Sequence, residues 1–194
     1  PTGWHPERPA RLVAAERGVR SVGVEIVPVP AREATHDELA RAHAPEYVEK
    51  LARTLTARPA GFLDGDTYFA PGSRTAAWRA AGGACALVDA LLSGNEGDPR
   101  VGALLARPPG HHATRTRAMG FCLLNNVAVA ARHALARGLS RVAVIDWDVH
   151  HGNGTQDIFS DDPRVLFVSL HQWPLYPGTG ACSEVGQGDG LGRT

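Results

Sequence analysis

Residues 142–153 join a buried-strand pattern to a dense set of polar side chains, and no other stretch constrains the fold as strongly. Residues 142–145 are apolar and mostly β-branched, as in a strand covered on both faces of a parallel sheet. Asp146, Asp148 and His150 then alternate with apolar residues. Side chains two positions apart on an extended chain point the same way, so these three project together from the carboxyl end of the strand. Open α/β sheets bind their ligands at that end.

The alternation leaves two interpretations. Neighbouring carboxylates repel one another, and their burial is costly unless a cation or hydrogen-bond partners compensate the charge. We therefore expect a divalent metal between these side chains. The alternative is a polar strand end that simply faces water.

Length, charge and cysteine content narrow the class of protein. The 194 residues suffice for one domain, which we place over the whole range 1–194. The 20 basic and 20 acidic residues balance, so nothing indicates a nucleic-acid partner or an anionic membrane surface. The three cysteines, Cys85, Cys122 and Cys182, include no CxxC pair and favour a reduced, cytoplasmic setting. We see neither a signal peptide nor an apolar run near the roughly 18 residues of a membrane span. The arginine- and alanine-rich composition suggests a bacterial source.

Strands and helices alternate along the chain, which predicts right-handed βαβ units. The fold class is thus α/β, a three-layer αβα arrangement around a mostly parallel sheet. A capping box at Thr35 and a proline at position 45 mark two helix starts. Residues 61–68 read as a turn-rich loop with solvated aspartates. We predict strands over 22–29, 101–106, 142–145 and 165–170, and helices over 11–17, 73–92 and 125–137 as well as after Pro45.

His111 and His112 follow the predicted strand 101–106 directly after two prolines and a glycine. In a parallel sheet this adjacent pair lies at the same edge as Asp148 and His150. Carboxylate and imidazole ligands without cysteine are typical of a catalytic zinc site, although manganese and iron also use them. A nearby histidine can take a proton from a metal-bound water. The residues alone therefore indicate a metal-assisted hydrolase and name no substrate.

Four stretches carry a closer likeness: Arg-Pro-Pro-Gly-His-His at 107–112, Gly-Phe-Cys-Leu-Leu-Asn-Asn from 120, Asp-Trp-Asp-Val-His-His-Gly-Asn-Gly-Thr-Gln from 146, and Tyr-Pro-Gly-Thr-Gly from 176. They closely resemble the zinc-dependent histone deacetylase family, in the version of its class II branch and of related bacterial amidohydrolases. The likeness begins near His5 and runs to the last residue. It implies an arginase/deacetylase fold, here incomplete, with an acyl-lysine tunnel that ends at zinc.

The resemblance also implies roles for individual residues. Asp148 and His150 would be zinc ligands. His112 would be the general base, supported by Asn153, and His111 would be paired with Asp146. Asparagine in place of the aspartate of some relatives would lower the basicity of His112. The residues implied at the substrate are Phe121 and Tyr176 as tunnel walls, Gly120 between substrate and wall, and Asp66 at the rim.

Members of the family also bind a structural potassium ion. The resemblance places it near Asp146, Ser169 and Leu170, together with backbone oxygens of Asp148 and His150. An acetylated lysine peptide, an acetylpolyamine or a similar acyl amide would be the substrate.

The family completes its zinc site with an aspartate in a downstream Asp-Ala-His stretch and polarises the substrate with a later tyrosine or histidine. Neither stretch occurs here, and the opening strand also looks clipped, so we interpret the domain as truncated at both ends. We expect this 194-residue chain alone to be weakly active or inactive.

Two alternatives stay open. An arginase-like ureohydrolase with two manganese ions also uses alternating Asp and His, but it needs further carboxylates where this chain has His151, Gly152 and Asn153. A non-catalytic acyl-lysine-binding module is the other, although the intact histidine pair disfavours it.

Overall fold

The computed structural model describes residues 7–94, 98 and 100–194. The helices are α1 (Pro9–Arg20), α2 (His36–Ala40), α3 (Pro45–Ala57), α4 (Ser73–Ser93), α5 (Asn126–Ala136) and α6 (Asn153–Phe159). The strands are β1 (Gly61–Phe62), β2 (Tyr68–Phe69), β3 (Val142–Asp146) and β4 (Val165–Ser169), and a short 3₁₀ turn covers Gly188–Gly190.

β3 and β4 form a parallel pair, and β3 ends at the polar stretch that begins with Asp146. β3 and β4 run side by side with Val142 opposite Val165 and Asp146 opposite Ser169. Val144, Val165 and Phe167 are buried on the face that α5 and α6 cover. On the other face, within the described part of the chain, the side chains are solvent-accessible: Ala143, Ile145, Leu166 and Val168.

Small residues on α4 allow the helices to pack closely. An ideal Cβ on Gly82 would lie 2.5 Å from the carbonyl carbon of Glu33, so the backbone before α2 rests directly on this helix. The backbone N–H of Ala34 donates to the carbonyl of Trp78 across the same contact. α4 in turn packs along α5, and the buried residues form a continuous core.

The predicted helix starts are confirmed. The Thr35 hydroxyl accepts from the N–H of Glu38 while the Glu38 carboxylate accepts from the N–H of Thr35, which forms the capping box. Pro45 occupies the first turn of α3. The Asn125 side chain caps α5 by accepting from the N–H of Ala128.

Several predicted elements differ. The predicted strands at 22–29 and 101–106 are irregular, because neither pairs with a strand among the described residues and their valines are open to solvent (Val22 is 68% and Val101 86% exposed). α1 continues past Gly18 to Arg20. The loop predicted at 61–68 is closed by the β1–β2 hairpin. α6 was not predicted, since seven residues that include a glycine and a threonine give little helical signal.

Across the described ranges, we find no helix that combines the length and the apolar character required to cross a membrane.

Candidate active site

The two adjacent histidines lie at the centre of the site, one held by the last residue of β3 and the other by the first residue of α6. His111 Nδ1 lies 2.8 Å from Asp146 Oδ2, and His112 Nδ1 lies 2.8 Å from Asn153 Oδ1. The ring centroids of the pair are 4.0 Å apart. Because an amide oxygen only accepts, the proton of neutral His112 resides on Nδ1 and its lone pair on Nε2.

Burial keeps His112 uncharged. Removal from water, and then the neighbouring His111 ring, lower the pKa of His112 to about 4, while the bond to Asn153 opposes this. The side chain is thus neutral near pH 7, and its Nε2 carries a lone pair. A neutral imidazole of fixed tautomer is what general-base chemistry requires.

Asp148 and His150 converge beside this pair. Asp148 Oδ1 lies 2.9 Å from His150 Nδ1 and also accepts the backbone N–H of His150 at 2.8 Å. Partial burial raises the pKa of Asp148, but the bonds from His150 outweigh it, so the net pKa is lowered and the carboxylate stays ionised. The rings of His150 and His112 are 5.9 Å apart.

This pair offers the donor chemistry of a zinc site. A carboxylate oxygen and an imidazole nitrogen are ordinary zinc ligands, and a catalytic zinc takes three protein ligands in all. In a tetrahedral site two ligands at about 2.0 Å from the ion lie roughly 3.3 Å apart, close to the observed 2.9 Å. The two side chains therefore offer two ligand atoms whose separation fits a zinc ion.

Phe121 and Tyr176 are among the residues that line an open cavity of about 910 Å³, which reaches His112, Asp148 and His150. The Tyr176 ring stands edge-on to His112 with the centroids 5.0 Å apart. Phe121 has φ +68°, a left-handed backbone that a bulky residue rarely adopts.

Gly120 lies against the base itself. An ideal Cβ there would be 2.7 Å from Cγ of His112. Only a residue without a side chain fits at this point, and its φ of +56° also favours glycine.

Thr67, next to Asp66 at the expected rim, was not predicted as a site residue. Thr67 is fully buried, and its hydroxyl donates to Asp66 Oδ1 at 3.1 Å and accepts the backbone N–H of Phe121 at 3.2 Å. Burial and the neighbouring Asp64 raise the pKa of Asp66. Asp64 accepts the N–H groups of residues 66 and 67, which fixes the loop. No periodicity in the sequence marks Thr67.

The residues assigned to potassium lie side by side at the ends of β3 and β4. Asp146 and Ser169 are register partners, and the Asp146 carbonyl accepts the N–H of Leu170 at 2.8 Å. The Ser169 hydroxyl is within 2.9 Å of His171 Nδ1.

A second polar cluster lies in the core between α2, α4 and α5. One potential ligand atom each of Glu38, Cys85 and His133 lies within 4.8 Å of the others. Arg32 already holds Glu38 through both carboxylate oxygens, and Arg41 lies 3.1 Å from His133 Nδ1. The guanidinium groups supply the positive charge that a metal would bring, so we interpret this cluster as an internal ion network.

Comparison with known proteins agrees with the motifs. A histone deacetylase domain model matches residues 5–194. Histone deacetylase 15 of Arabidopsis thaliana is 45% identical over 97% of this chain and 34% of its own length, and human polyamine deacetylase HDAC10 is 45% identical over 97% of this chain and 30% of its own. A crystal structure of the HDA15 HD domain superposes with a TM-score of 0.90 at 43% identity, over all of this chain and 55% of that one.

The chain spans between 30% and 62% of the lengths of relatives such as these. The structural match extends over every residue, which confirms the predicted α/β deacetylase fold in incomplete form. This chain belongs to the histone deacetylase family.

Proposed function

We propose that the protein hydrolyses acetyl-lysine or related acetyl amides with the help of zinc. The observation that carries the proposal is a neutral, buried His112 whose tautomer is fixed by Asn153. The centroid of its ring lies 5.9 Å from that of His150, a candidate zinc ligand. Membership of the deacetylase family supports the reaction class.

Each side chain then has a task. Asp148 and His150 would hold the zinc, which when bound acts as a Lewis acid on the acyl carbonyl and acidifies water. His112 accepts the proton of the attacking water at Nε2 and later delivers it to the leaving amine. His111, bonded to Asp146, stabilises charge beside it.

Aromatic side chains beside the histidines support an acyl chain as substrate. Phe121 and Tyr176 would flank the aliphatic part, and the Asp66 carboxylate at the rim would bind an N–H group or a cationic nitrogen. These features suit an acetylated lysine peptide, an acetylpolyamine or a similar acyl amide, with no nucleic acid or membrane as partner. The human relative named a polyamine deacetylase supports an acetylated amine.

A structural potassium ion is a separate proposal. It would bind among the oxygens of Asp146, Ser169 and Leu170, with backbone oxygens of Asp148 and His150, where β3 and β4 end. The side-by-side arrangement of these strand ends supports it. A melting temperature that is higher in potassium than in sodium chloride at equal ionic strength is the expected result.

We further propose that residues 1–194 are part of one deacetylase domain and that the protein is bacterial and works in the cytoplasm. The cysteines support a reducing compartment, because Cys85 and Cys122 are buried as free thiols and Cys182 is also unpaired.

The test measures acetate release from acetyl-lysine peptide and acetylpolyamine by the natural protein that carries this sequence, with and without zinc. We expect chelation to abolish turnover and His112→Ala to lower it by about 10²–10⁴-fold. Asp148→Asn should weaken zinc binding, measured directly by calorimetry. Peptide binding without acetate release would favour the acyl-lysine-binding module, and two manganese ions per chain would favour the ureohydrolase.

A further inference from the structure

His43 is a buried histidine that no catalytic role uses. It lies in the turn between α2 and α3 and is 0% exposed. Its Nδ1 lies 3.0 Å from the carbonyl oxygen of Thr114, and its Nε2 lies 2.9 Å from the backbone nitrogen of Asn125. A backbone N–H can only donate, so Nε2 carries the lone pair and Nδ1 donates to Thr114.

The segment that receives this bond directly follows the base. Asn125 Nδ2 donates to the carbonyl of Ala113 at 3.1 Å, and the N–H of Ala44 donates to the carbonyl of Arg115 at 2.9 Å. With the His43–Thr114 bond, three consecutive carbonyls after His112 each have a dedicated donor from outside the segment.

The chain on the other side of the base is fixed as well. The carbonyl of His111 accepts the N–H groups of Gly154 and Thr155 at 2.9 and 3.1 Å. Thr155 Oγ1 also accepts from Asn125 Nδ2 at 3.2 Å, which connects the two sets of bonds. An apolar side chain of similar volume would fill this part of the core without needing hydrogen-bond partners. The network of hydrogen bonds therefore does more than fill the core.

We propose that His43 is a positioning residue that fixes the backbone of His112 through the bond that its Nδ1 donates to the carbonyl of Thr114. The inference rests on the proposed function for the role of His112. A residue of the α2–α3 turn thereby fixes the backbone that carries His112. This matters because a displacement near 1 Å at a reacting group can cost on the order of 10²-fold in rate.

Two substitutions separate the nitrogens of His43. His43→Asn places an amide N–H near the Nδ1 position and keeps a donor for Thr114, whereas His43→Gln places an amide oxygen near Nε2 and keeps only the acceptor. His36→Gln makes the same exchange at an exposed histidine of α2 and serves as the matched control. Asn125→Asp retains the oxygen that caps Ala128 but removes the donor to Ala113, and it tests the idea if both His43 variants fail to fold.

The experiment compares kcat and KM per folded molecule and the NMR signal of the His112 Nδ1–H proton, all in the natural protein that carries this sequence. We expect His43→Gln and Asn125→Asp to lower kcat at least tenfold with KM nearly unchanged and to broaden the His112 signal. His43→Asn should stay within about threefold of wild type, and His36→Gln should match it.

The proposal is overturned if every folded variant keeps the His112 signal and normal kcat while only the melting temperature falls. It is equally overturned if His43→Asn is the damaged variant and His43→Gln the intact one. Should the wild-type protein release no acetate, the proposed function fails, and the His112 signal still decides whether His43 positions that ring.

Discussion

Replacement of Gly120 by alanine tests whether the glycine exists to admit the His112 ring. The left-handed backbone at φ +56° costs a residue with a Cβ about 1–2 kcal/mol. The new methyl would lie 2.7 Å from Cγ of His112, and overpacking of this kind costs about 1–3 kcal/mol. We therefore expect Gly120→Ala to lower the free energy of unfolding by about 2–5 kcal/mol, measured by urea denaturation.

Gly188→Ala is the matched control. Gly188 has φ +53° and no heavy atom within 4 Å of its ideal Cβ, so it carries the backbone cost without the clash. The excess loss at Gly120 over Gly188 should be about 1–3 kcal/mol, and only Gly120→Ala should shift the NMR resonances of the His112 ring. Equal destabilisation by both substitutions, with an unchanged His112 ring, would refute the reasoning.

Three further predictions follow from buried polar groups. Burial lowers the pKa of His43 from 6.5 to about 4, so the unfolded chain takes up the proton first as the pH falls. The free energy of unfolding should therefore fall by roughly 3 kcal/mol between these two pH values. Urea denaturation of the wild type at several pH values should show this loss, and an equal loss in His43→Gln would contradict the prediction. Asn153→Asp should raise the pKa of His112 by placing a carboxylate on its Nδ1–H, and an NMR titration with an unmoved midpoint would disprove this. Glu38→Gln should cost about 1–3 kcal/mol in urea denaturation because it removes the charge that Arg32 binds, whereas the partly exposed pair Arg20–Glu16 should tolerate Glu16→Gln.

Local sequence patterns predicted the centre of the candidate site. Polar and apolar residues alternate at 146–150, and two prolines and a glycine precede His111. Both patterns mark polar groups at predicted strand ends, and the structure brings these groups together. Both signals arise from neighbouring residues, which is why a single sequence reveals them.

The supporting residues gave no such signal. Thr67, His43 and Asn125 act through partners far away in the chain, and each alone resembles an ordinary turn, helix-start or cap residue. The strands predicted at 22–29 and 101–106 failed for a related reason, since apolar residues form a strand only where a neighbouring strand supplies the hydrogen bonds.

The shared hydroxyl of Thr67 has a consequence for selectivity. One oxygen bonds both the Asp66 carboxylate and the backbone of Phe121, so the residue proposed to select charge at the rim is linked to the residue proposed as a tunnel wall. A substitution that alters the preference for a cationic substrate would then also alter the tolerance of a wider acyl chain. To change the preference for charge without changing the tolerated width of the acyl chain, residues 64–67 and 119–122 would have to be redesigned together.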